Sequence, residues 1–306
     1  FKIFYLIKLA NIKNIMIHNL GNFGNKQTPD FNLDHIFAFQ HYYEKGFYYL
    51  FRLLTIINLF PKIDLLFESN INTIKALNNG LSRKFERLFP YFKISYFRKI
   101  EKVNSIFFDQ IANYKPVTNK KKKYILYIDE PMDHGDKVRR EGKASHKEIK
   151  KFYQNLSNFL DKISKLLKYN VIIGLHPSSK IGYKYLSKFY ISKNKTFNLV
   201  PNSEIVIASQ SSLISSAVIY NKKILSIKSK YLGKYISGLA HKYKTSLGLL
   251  SINIDKKLKI NKKNLLKKMN YSKKNYHHYI KSRLRTDGNN KPYKKITETI
   301  KKEFLI

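Results

Sequence analysis

The chain reads Tyr124-Ile125-Leu126-Tyr127-Ile128 where its most regular part begins, and Asp129-Glu130 follows directly. A short apolar run that ends in polar residues predicts a buried strand followed by a loop. Two later apolar runs end in the same way, in Leu175-His176-Pro177-Ser178 and in Ser209-Gln210-Ser211-Ser212. Residues 124–227 therefore predict repeated strand, loop and helix units, which are typical of a parallel sheet covered on both faces.

One long helix is predicted directly after the first of these strands. Ser145 is followed three residues later by Glu148, which is a capping-box pattern at a helix start. Apolar residues at spacings of three and four then predict one buried stripe, formed by Ile149, Phe152, Leu156, Phe159, Leu160, Ile163, Leu166 and Leu167. The same reasoning predicts further strands and helices: strands at 171–175, 197–200, 205–208 and 223–227, and helices at 183–190 and 213–220.

The chain is long enough for two domains, and its composition changes most clearly at one point. Residues 116–123 are polar and rich in lysine, which predicts a linker. We expect a first domain at 1–115 and a second, nucleotide-sugar-binding domain at 124–285. We expect a last helix at 286–306 that packs back on the first domain.

The first domain has weaker patterns than the second. Apolar runs predict strands at 1–7, 14–17 and 63–67, and helices are predicted at 47–60 and 71–77. The chain begins with Phe1 and not with methionine, which is compatible with an upstream segment. This part of the sequence supports an acceptor-side domain only by its alternation of strands and helices.

The composition limits the classes of partner that the protein is expected to bind. The formal net charge is +39, and there is no cysteine, which excludes disulfides and thiolate chemistry. Lysine supplies most of the positive charge along the whole chain, whereas arginine, the better residue for reading bases, is scarce. We therefore expect no nucleic-acid partner. We expect anionic substrates and an anionic inner-membrane surface, with the protein cytoplasmic and peripheral on the inner face of the membrane.

The first candidate site is the hydroxyl-rich turn Ser209-Gln210-Ser211-Ser212. It follows a predicted strand and opens a predicted helix, where backbone N–H groups lack intrahelical partners and the helix dipole is positive. Small hydroxyl residues let a phosphate approach closely and add hydrogen-bond donors. A serine cap without any ligand explains the same residues. The order of strand, turn and helix around them favours phosphate binding.

The second candidate site is His176-Pro177, which ends an earlier predicted strand. The proline restricts the backbone of the histidine. An imidazole held there can donate to a phosphate oxygen, or stabilise or protonate a departing nucleotide. A purely structural histidine is the alternative. Its position two strands before the serine-rich turn favours the functional role.

The third candidate site is an acidic loop. Four carboxylates lie within eight residues: Asp129, Glu130, Asp133 and Asp136. One of them could be the general base that deprotonates an acceptor hydroxyl. A solvated capping loop that neutralises nearby lysines is an equal alternative. The spacing matches no closed metal loop, so we expect no metal and no cofactor. Arg139 and Arg140 are candidate contacts for a diphosphate or a sugar carboxylate.

Three short motifs follow one another in the chain: Asp133-His134-Gly135, His176-Pro177 and Ser211-Ser212. This order resembles the acidic-Gly, HP and Ser-rich motifs of bacterial sialyltransferases and polysialyltransferases of the two-domain GT-B type. Related surface-polysaccharide transferases, and polyol-phosphate transferases with CDP-activated donors, are similar. The resemblance covers about residues 124–227. It departs at His134, where the family usually has a second acid, so Asp129 and Glu130 remain rivals to Asp133.

The resemblance implies an α/β protein with two Rossmann-like domains, GT-B-like, and a cleft between them. By the same resemblance Asp133 would be the base, and His176 would contact the donor phosphate or the leaving cytidylate. Ser211 and Ser212 would form the phosphate cradle. The implied reaction is metal-independent transfer of a sugar, such as a sialic-acid-like nonulosonate from a CMP donor. The acceptor would be a bacterial surface glycan such as capsule or lipooligosaccharide.

Two alternatives stay open at the level of the sequence. The first is another nucleotide-sugar enzyme on the same scaffold, such as an epimerase or a CDP-polyol phosphotransferase. An epimerase needs two acid/base groups that flank one sugar carbon, and the sequence identifies no such pair. The second alternative, from another class, is a basic nucleic-acid-binding protein. The favoured partners are a CMP- or CDP-linked sugar donor and a glycan acceptor.

Overall fold

The computed structural model describes residues 15–17, 63–69, 97–105, 108, 111, 123–132, 138, 142–176, 179, 182–193, 196–284 and 292–304. Contacts divide the chain into two compact units, one of residues 1–110 with 281–306 and the other of residues 111–280. The boundaries expected from the sequence lie a few residues later along the chain. Each unit is built on a parallel sheet, which confirms the predicted α/β class.

The first unit contains three described strands, β1 (Ile15–Ile17), β2 (Ile63–Glu68) and β3 (Phe97–Lys102). They lie in the order β1-β2-β3, and both pairings are parallel. The strands expected at 14–17 and 63–67 are therefore confirmed. The strand expected at 1–7 and the helices expected at 47–60 and 71–77 lie outside the described residues.

Strand β3 was not predicted, because four of its six residues are charged. Arg98 and Lys99 have partners on neighbouring elements of the same unit. Arg98 pairs with Asp64 of β2 at 3.2 Å, and Lys99 pairs with Glu303 at 2.6 Å. A strand whose polar side chains are satisfied in this way has no apolar alternation to reveal it.

The C-terminal helix, Pro292–Phe304, packs within the first unit. Its Ile296 joins a buried apolar cluster with Leu65 and Phe67 of β2 and with Val103. On its polar side, Lys295 Nζ donates to the backbone carbonyl of Lys102 at 2.6 Å. Apolar contact on one face and lysine contacts on the other explain why this amphipathic segment is helical.

The second unit contains a six-stranded sheet in the order β6-β5-β4-β7-β8-β9, with every neighbouring pair parallel. Numbered within the unit, the order is 3-2-1-4-5-6, which is the doubly wound, Rossmann-type arrangement. The bounds of the strands are β4 Tyr124–Ile128, β5 Asn170–Leu175, β6 Tyr190–Lys193, β7 Ile205–Ala208, β8 Lys223–Lys228 and β9 Leu250–Asn253.

Helices connect these strands or follow the last of them. They are α1 His146–Leu167, α2 Gly182–Leu186, α3 Thr196–Leu199, α4 Ile214–Ile219, α5 Gly233–Leu247, α6 Lys262–Lys268 and α7 Lys273–Arg283. Short 3-10 turns lie at Val200–Asn202 and Lys230–Leu232. Among the helices that the structure describes, none combines the length and the apolar character needed to cross a bilayer.

Helix α1 has the start and the buried face that the sequence predicts. The side chain of Ser145 accepts from the backbone N–H of Glu148, and the Glu148 side chain accepts from the backbone N–H of Ser145 at 2.9 Å. All predicted stripe residues except Leu166 are fully buried, and Tyr153 joins them. This stripe packs on the sheet in the main apolar core of the unit.

The predicted strand at 197–200 is wrong. Those residues form α3 and the start of a 3-10 turn, in which the Ser203 hydroxyl donates to the Val200 carbonyl at 2.8 Å. Pro201 fits this turn because its φ angle is fixed near the helical value. The third strand is instead β6, which begins at Tyr190, where the sequence predicted the end of a helix. Four apolar residues cannot distinguish helix from strand by periodicity.

The capping box gives the first prediction. Ser145→Ala removes a side-chain acceptor from the first turn of α1, and we expect the free energy of unfolding to fall by about 1 kcal/mol. Ser187→Ala, at an exposed serine in a turn, is the matched control and should change stability by less than about 0.5 kcal/mol. Urea unfolding measures both. Equal stability of the two variants would contradict a structural role for the cap.

Candidate functional site

The sheet order places three candidate loops along one edge of the second unit. Because all strands are parallel, the residues that follow β4, β5 and β7 lie at the same carboxyl edge. Asp129 and Glu130 follow β4, His176 follows β5, and Ser209 follows β7. The order of strand addition reverses between β4 and β7, and ligands of doubly wound sheets bind at such a reversal.

His176 and Ser209 flank the central acidic pair. Strand β4 lies between β5 and β7, so the two loops are separated by two strand spacings, or about 10 Å. The backbone carbonyl of His176 accepts from the N–H of Ser179 at 2.9 Å, and its side chain is partly buried. The histidine and the serine-rich turn are therefore neighbours on one edge, within reach of a single nucleotide-sized ligand.

Asp129 is a buried residue after β4 that forms hydrogen bonds to β5 and to helix α1. It is 2% exposed, and its backbone N–H donates to the Gly174 carbonyl of β5 at 3.0 Å. The Tyr153 hydroxyl of α1 donates to its Oδ1 over 3.5 Å, and the ring of Tyr153 stacks on that of Tyr185 in α2. A base must reach the proton that it removes. This burial favours a positioning role for Asp129 over catalysis.

Tyr127 shows the electrostatic effect of these acids. Complete burial raises the pKa of the Tyr127 phenol well above its ordinary value, and the charges of Asp129, Tyr153 and Glu130 raise it further. Negative charge below the sheet edge disfavours a second anion next to it. Tyr127 therefore stays a neutral hydroxyl under the acidic loop.

Glu130 accepts a hydrogen bond from Gln210 across the point where the strand order reverses. It is 7% exposed, and its Oε1 accepts from Gln210 Nε2 at 2.7 Å. This bond joins the loop after β4 to the loop after β7, which are 80 residues apart in the sequence. The sequence marked both residues as candidates, but no local pattern could show that they bond to each other.

The serine-rich turn forms more internal hydrogen bonds than the sequence suggested. Helix α4 begins at Ile214, and the carbonyls of Ser211 and Ser212 already accept from the N–H groups of Ile214 and Ser215. Ser211 Oγ accepts from the N–H of Leu213 at 3.2 Å. The turn itself therefore uses the first helical donors.

Hydroxyl groups remain for a ligand at this turn. Ser209 is 1% exposed, and its Oγ makes no hydrogen bond to any residue that the structure describes. Ser212 is exposed at the surface of the same turn. The Ser212 hydroxyl can donate to an anion without breaking the turn, whereas the Ser209 hydroxyl lies below the surface.

Several predicted site residues lie outside the described residues: Asp133, Pro177, Arg139 and Arg140. His134, Gly135 and Asp136 of the acidic loop lie outside them as well. Within the described ranges, no group of three histidine, aspartate or glutamate side chains is placed to hold a metal ion. The described part of the site thus consists of His176, the Asp129-Glu130 pair and the serine-rich turn.

Gly174 is a site-supporting residue that the sequence did not single out. A Cβ atom at this position would lie 2.8 Å from Thr196 Oγ1 and 3.1 Å from Thr196 Cβ. The absence of a side chain lets α3 approach β5 directly before His176, while the Gly174 carbonyl accepts from Asp129. A glycine inside an apolar strand was the available signal, because it often marks a close approach.

Comparisons with known proteins give weak likenesses only. No family model matches the chain, and no curated protein matches it. The UDP-GlcNAc 2-epimerase of Methanocaldococcus jannaschii, solved with UDP-GlcNAc and UDP, is 14% identical with a TM-score of 0.42, over 78% of this chain and 76% of that chain. MnaA of S. aureus, solved with UDP, is 15% identical with a TM-score of 0.42, over 79% and 60%.

The wall teichoic acid polymerase TagF is 17% identical with a TM-score of 0.40, over 79% of this chain and 58% of that chain. This chain therefore spans less than two thirds of MnaA and of TagF. Likenesses at this level carry no inference about activity.

The contact at Gly174 gives a prediction for the site. Gly174→Ala forces a methyl group against Thr196, and we expect the free energy of unfolding to fall by about 1–3 kcal/mol. Thr196→Ala removes the crowding atoms, so the double variant should be more stable than Gly174→Ala alone. Urea unfolding of the wild type, both single variants and the double variant tests this coupling. Additive losses would contradict a direct contact between the two residues.

Proposed function

We propose that this protein is a glycosyltransferase of the two-domain GT-B type that transfers a sugar from a CMP- or CDP-linked donor to a glycan acceptor. One observation carries the proposal. The 3-2-1-4-5-6 strand order brings His176, the Asp129-Glu130 pair and the serine-rich turn to one carboxyl edge, at the reversal of the strand order. Nucleotides bind at this position in doubly wound sheets.

The donor phosphate is proposed to lie between His176 and the serine-rich turn. An imidazolium or a neutral N–H at His176 can donate to a phosphate oxygen or to the leaving nucleotide. The hydroxyls of Ser211 and Ser212 can donate from the opposite side, because Ser211 Oγ accepts from the Leu213 N–H and keeps its own proton for donation. Pro177 would fix the histidine backbone, and Arg139 and Arg140 would add cationic contacts from the acidic loop.

The proposed base is Asp133. Asp129 is buried beneath the edge, and one oxygen of Glu130 is engaged by Gln210, which favours Asp133 over these two rivals. Asp133 matches the acidic-Gly motif of the family that the chain resembles. Its assignment depends on that resemblance, as does the finer proposal of a sialic-acid-like donor and a capsule or lipooligosaccharide acceptor.

The C-terminal part of the second unit supports a peripheral association with an anionic inner-membrane surface. Residues 256–280 contain nine lysines and no arginine, aspartate or glutamate. Lysines at both ends of α6 are exposed, while Leu265 and Met269 of the same segment are buried. Lysines near an anionic leaflet contribute about 1 kcal/mol each to binding.

A nucleotide panel tests the proposed function. CMP or CDP in about 100-fold excess over its Kd should raise the Tm of the full chain by roughly 5 °C. His176→Ala should lower donor hydrolysis or transfer by about 100-fold or more while the Tm without ligand is unchanged. His278→Ala, at an exposed histidine of α7, is the matched control. The absence of stabilisation by CMP, CDP and UDP would contradict a nucleotide-sugar enzyme.

Vesicle flotation tests the membrane proposal. The protein should float with phosphatidylglycerol vesicles and not with phosphatidylcholine vesicles at about 0.15 M salt. Neutralising the lysines of α6 should weaken flotation more than neutralising as many exposed lysines of α1. The two sets are Lys262, Lys263, Lys267 and Lys268 against Lys147, Lys150, Lys151 and Lys162, all changed to Gln. Equal effects of the two sets, or tighter binding to an oligonucleotide than to vesicles, would contradict it.

A further inference from the structure

The bond between Gln210 and Glu130 has a defined polarity. An ionised carboxylate only accepts hydrogen bonds, so the amide nitrogen of Gln210 must be the atom that faces Glu130. The 2.7 Å distance from Nε2 to Oε1 fits a charge-assisted bond. Because the amide nitrogen and oxygen are on opposite sides of Cδ, the carbonyl oxygen of Gln210 is directed away from Glu130.

The carbonyl oxygen of Gln210 is available as an acceptor. Gln210 is partly buried, and its bond to Glu130 is its one side-chain hydrogen bond within the residues that the structure describes. It lies between Ser209, whose buried hydroxyl lacks a partner in those residues, and the Ser211-Ser212 part of the turn, in which Ser211 is partly buried and Ser212 is exposed. A polar acceptor and a polar donor are therefore adjacent at the reversal of the strand order.

We propose that Gln210 Oε1 accepts a hydrogen bond from an O–H or N–H group of the donor nucleotide, and that Glu130 sets this polarity. The inference rests on the proposed function, since it assumes that a nucleotide binds at this edge. Gln210 is then a specificity-determining residue, and Glu130 is a positioning residue that acts through it. Three groups of a cytidine nucleotide have the required chemistry: the 2′-hydroxyl and the 3′-hydroxyl of the ribose, and the exocyclic amine of the base.

A purely structural bond between the two loops predicts a different result. In that case the loss of Gln210 would lower stability, and all nucleotides would bind to the same relative extent. A specific acceptor instead changes the ratio of affinities between a nucleotide and its analogue that lacks the donor. A polar group of the site that needs a hydrogen bond from the ligand discriminates strongly against an analogue that cannot supply it.

The experiment measures the Kd of the full-length protein for CMP, 2′-deoxy-CMP, 3′-deoxy-CMP and UMP by calorimetry. The wild type should bind CMP about ten-fold more tightly than the one analogue that lacks the bonded donor. Gln210→Met keeps the length of the side chain and removes the amide, so this ratio should fall to about one. Gln154→Met, at an exposed glutamine of α1, is the control and should keep the ratio. The analogue that loses its penalty identifies the donor group.

An exchange of the two residues tests the role of Glu130. Glu130→Gln lets both amides rotate, so the ratio should fall although residue 210 is unchanged. Gln210→Glu places two carboxylates together, and this variant should lose stability. The double exchange Glu130→Gln with Gln210→Glu restores one donor and leaves a free carboxylate oxygen at position 210. It should recover the ratio that both single variants lose.

Each contrary result has a separate meaning. If the wild type binds CMP and Gln210→Met keeps all affinity ratios, with or without a uniform loss of affinity, the inference about Gln210 is overturned and the proposed function stands. If the double exchange restores stability without restoring the ratio, the positioning role of Glu130 is overturned. If the wild type binds none of the four nucleotides, the proposed function fails and this inference fails with it.

Discussion

The parallel pairing of β4 with β5 on one side and with β7 on the other is the constraint on which the rest of the site depends. Tyr124 to Ile128 align with Asn170 to Gly174, and the middle of the same strand aligns with Ile205 to Ile207. This register fixes where each strand ends. The loops that carry His176, Glu130 and Gln210 therefore come together without any contact that is local in the sequence.

The acids at this edge are used in two different ways. Asp129 is taken below the surface, where Tyr153 and the backbone of Gly174 hold it against the end of β5. Glu130 stays at the edge and orients Gln210. Both carboxylates are buried, and burial of a charge is costly unless hydrogen bonds replace its lost hydration. This requirement holds even in a chain with a net charge of +39.

Elements of the second unit could be predicted from the sequence where their apolar runs were long or had clear ends. Strands β7 and β8 and helix α1 with its capping box could be predicted because burial and capping leave local patterns. The turn at 197–200 and the charged strand β3 could not, since a four-residue run has no period and ion pairs replace apolar alternation. The candidate residues could be named, but the Glu130–Gln210 bond is non-local and required the strand order.

A crystal structure of the full chain with bound CMP tests the central claim most directly, because it shows where the nucleotide lies relative to the sheet. The account predicts that the phosphate lies at the carboxyl edge of β4, β5 and β7, within hydrogen-bond distance of His176 or of the hydroxyls of Ser211 and Ser212. A nucleotide bound elsewhere on the protein, with this edge free of it, would contradict the account.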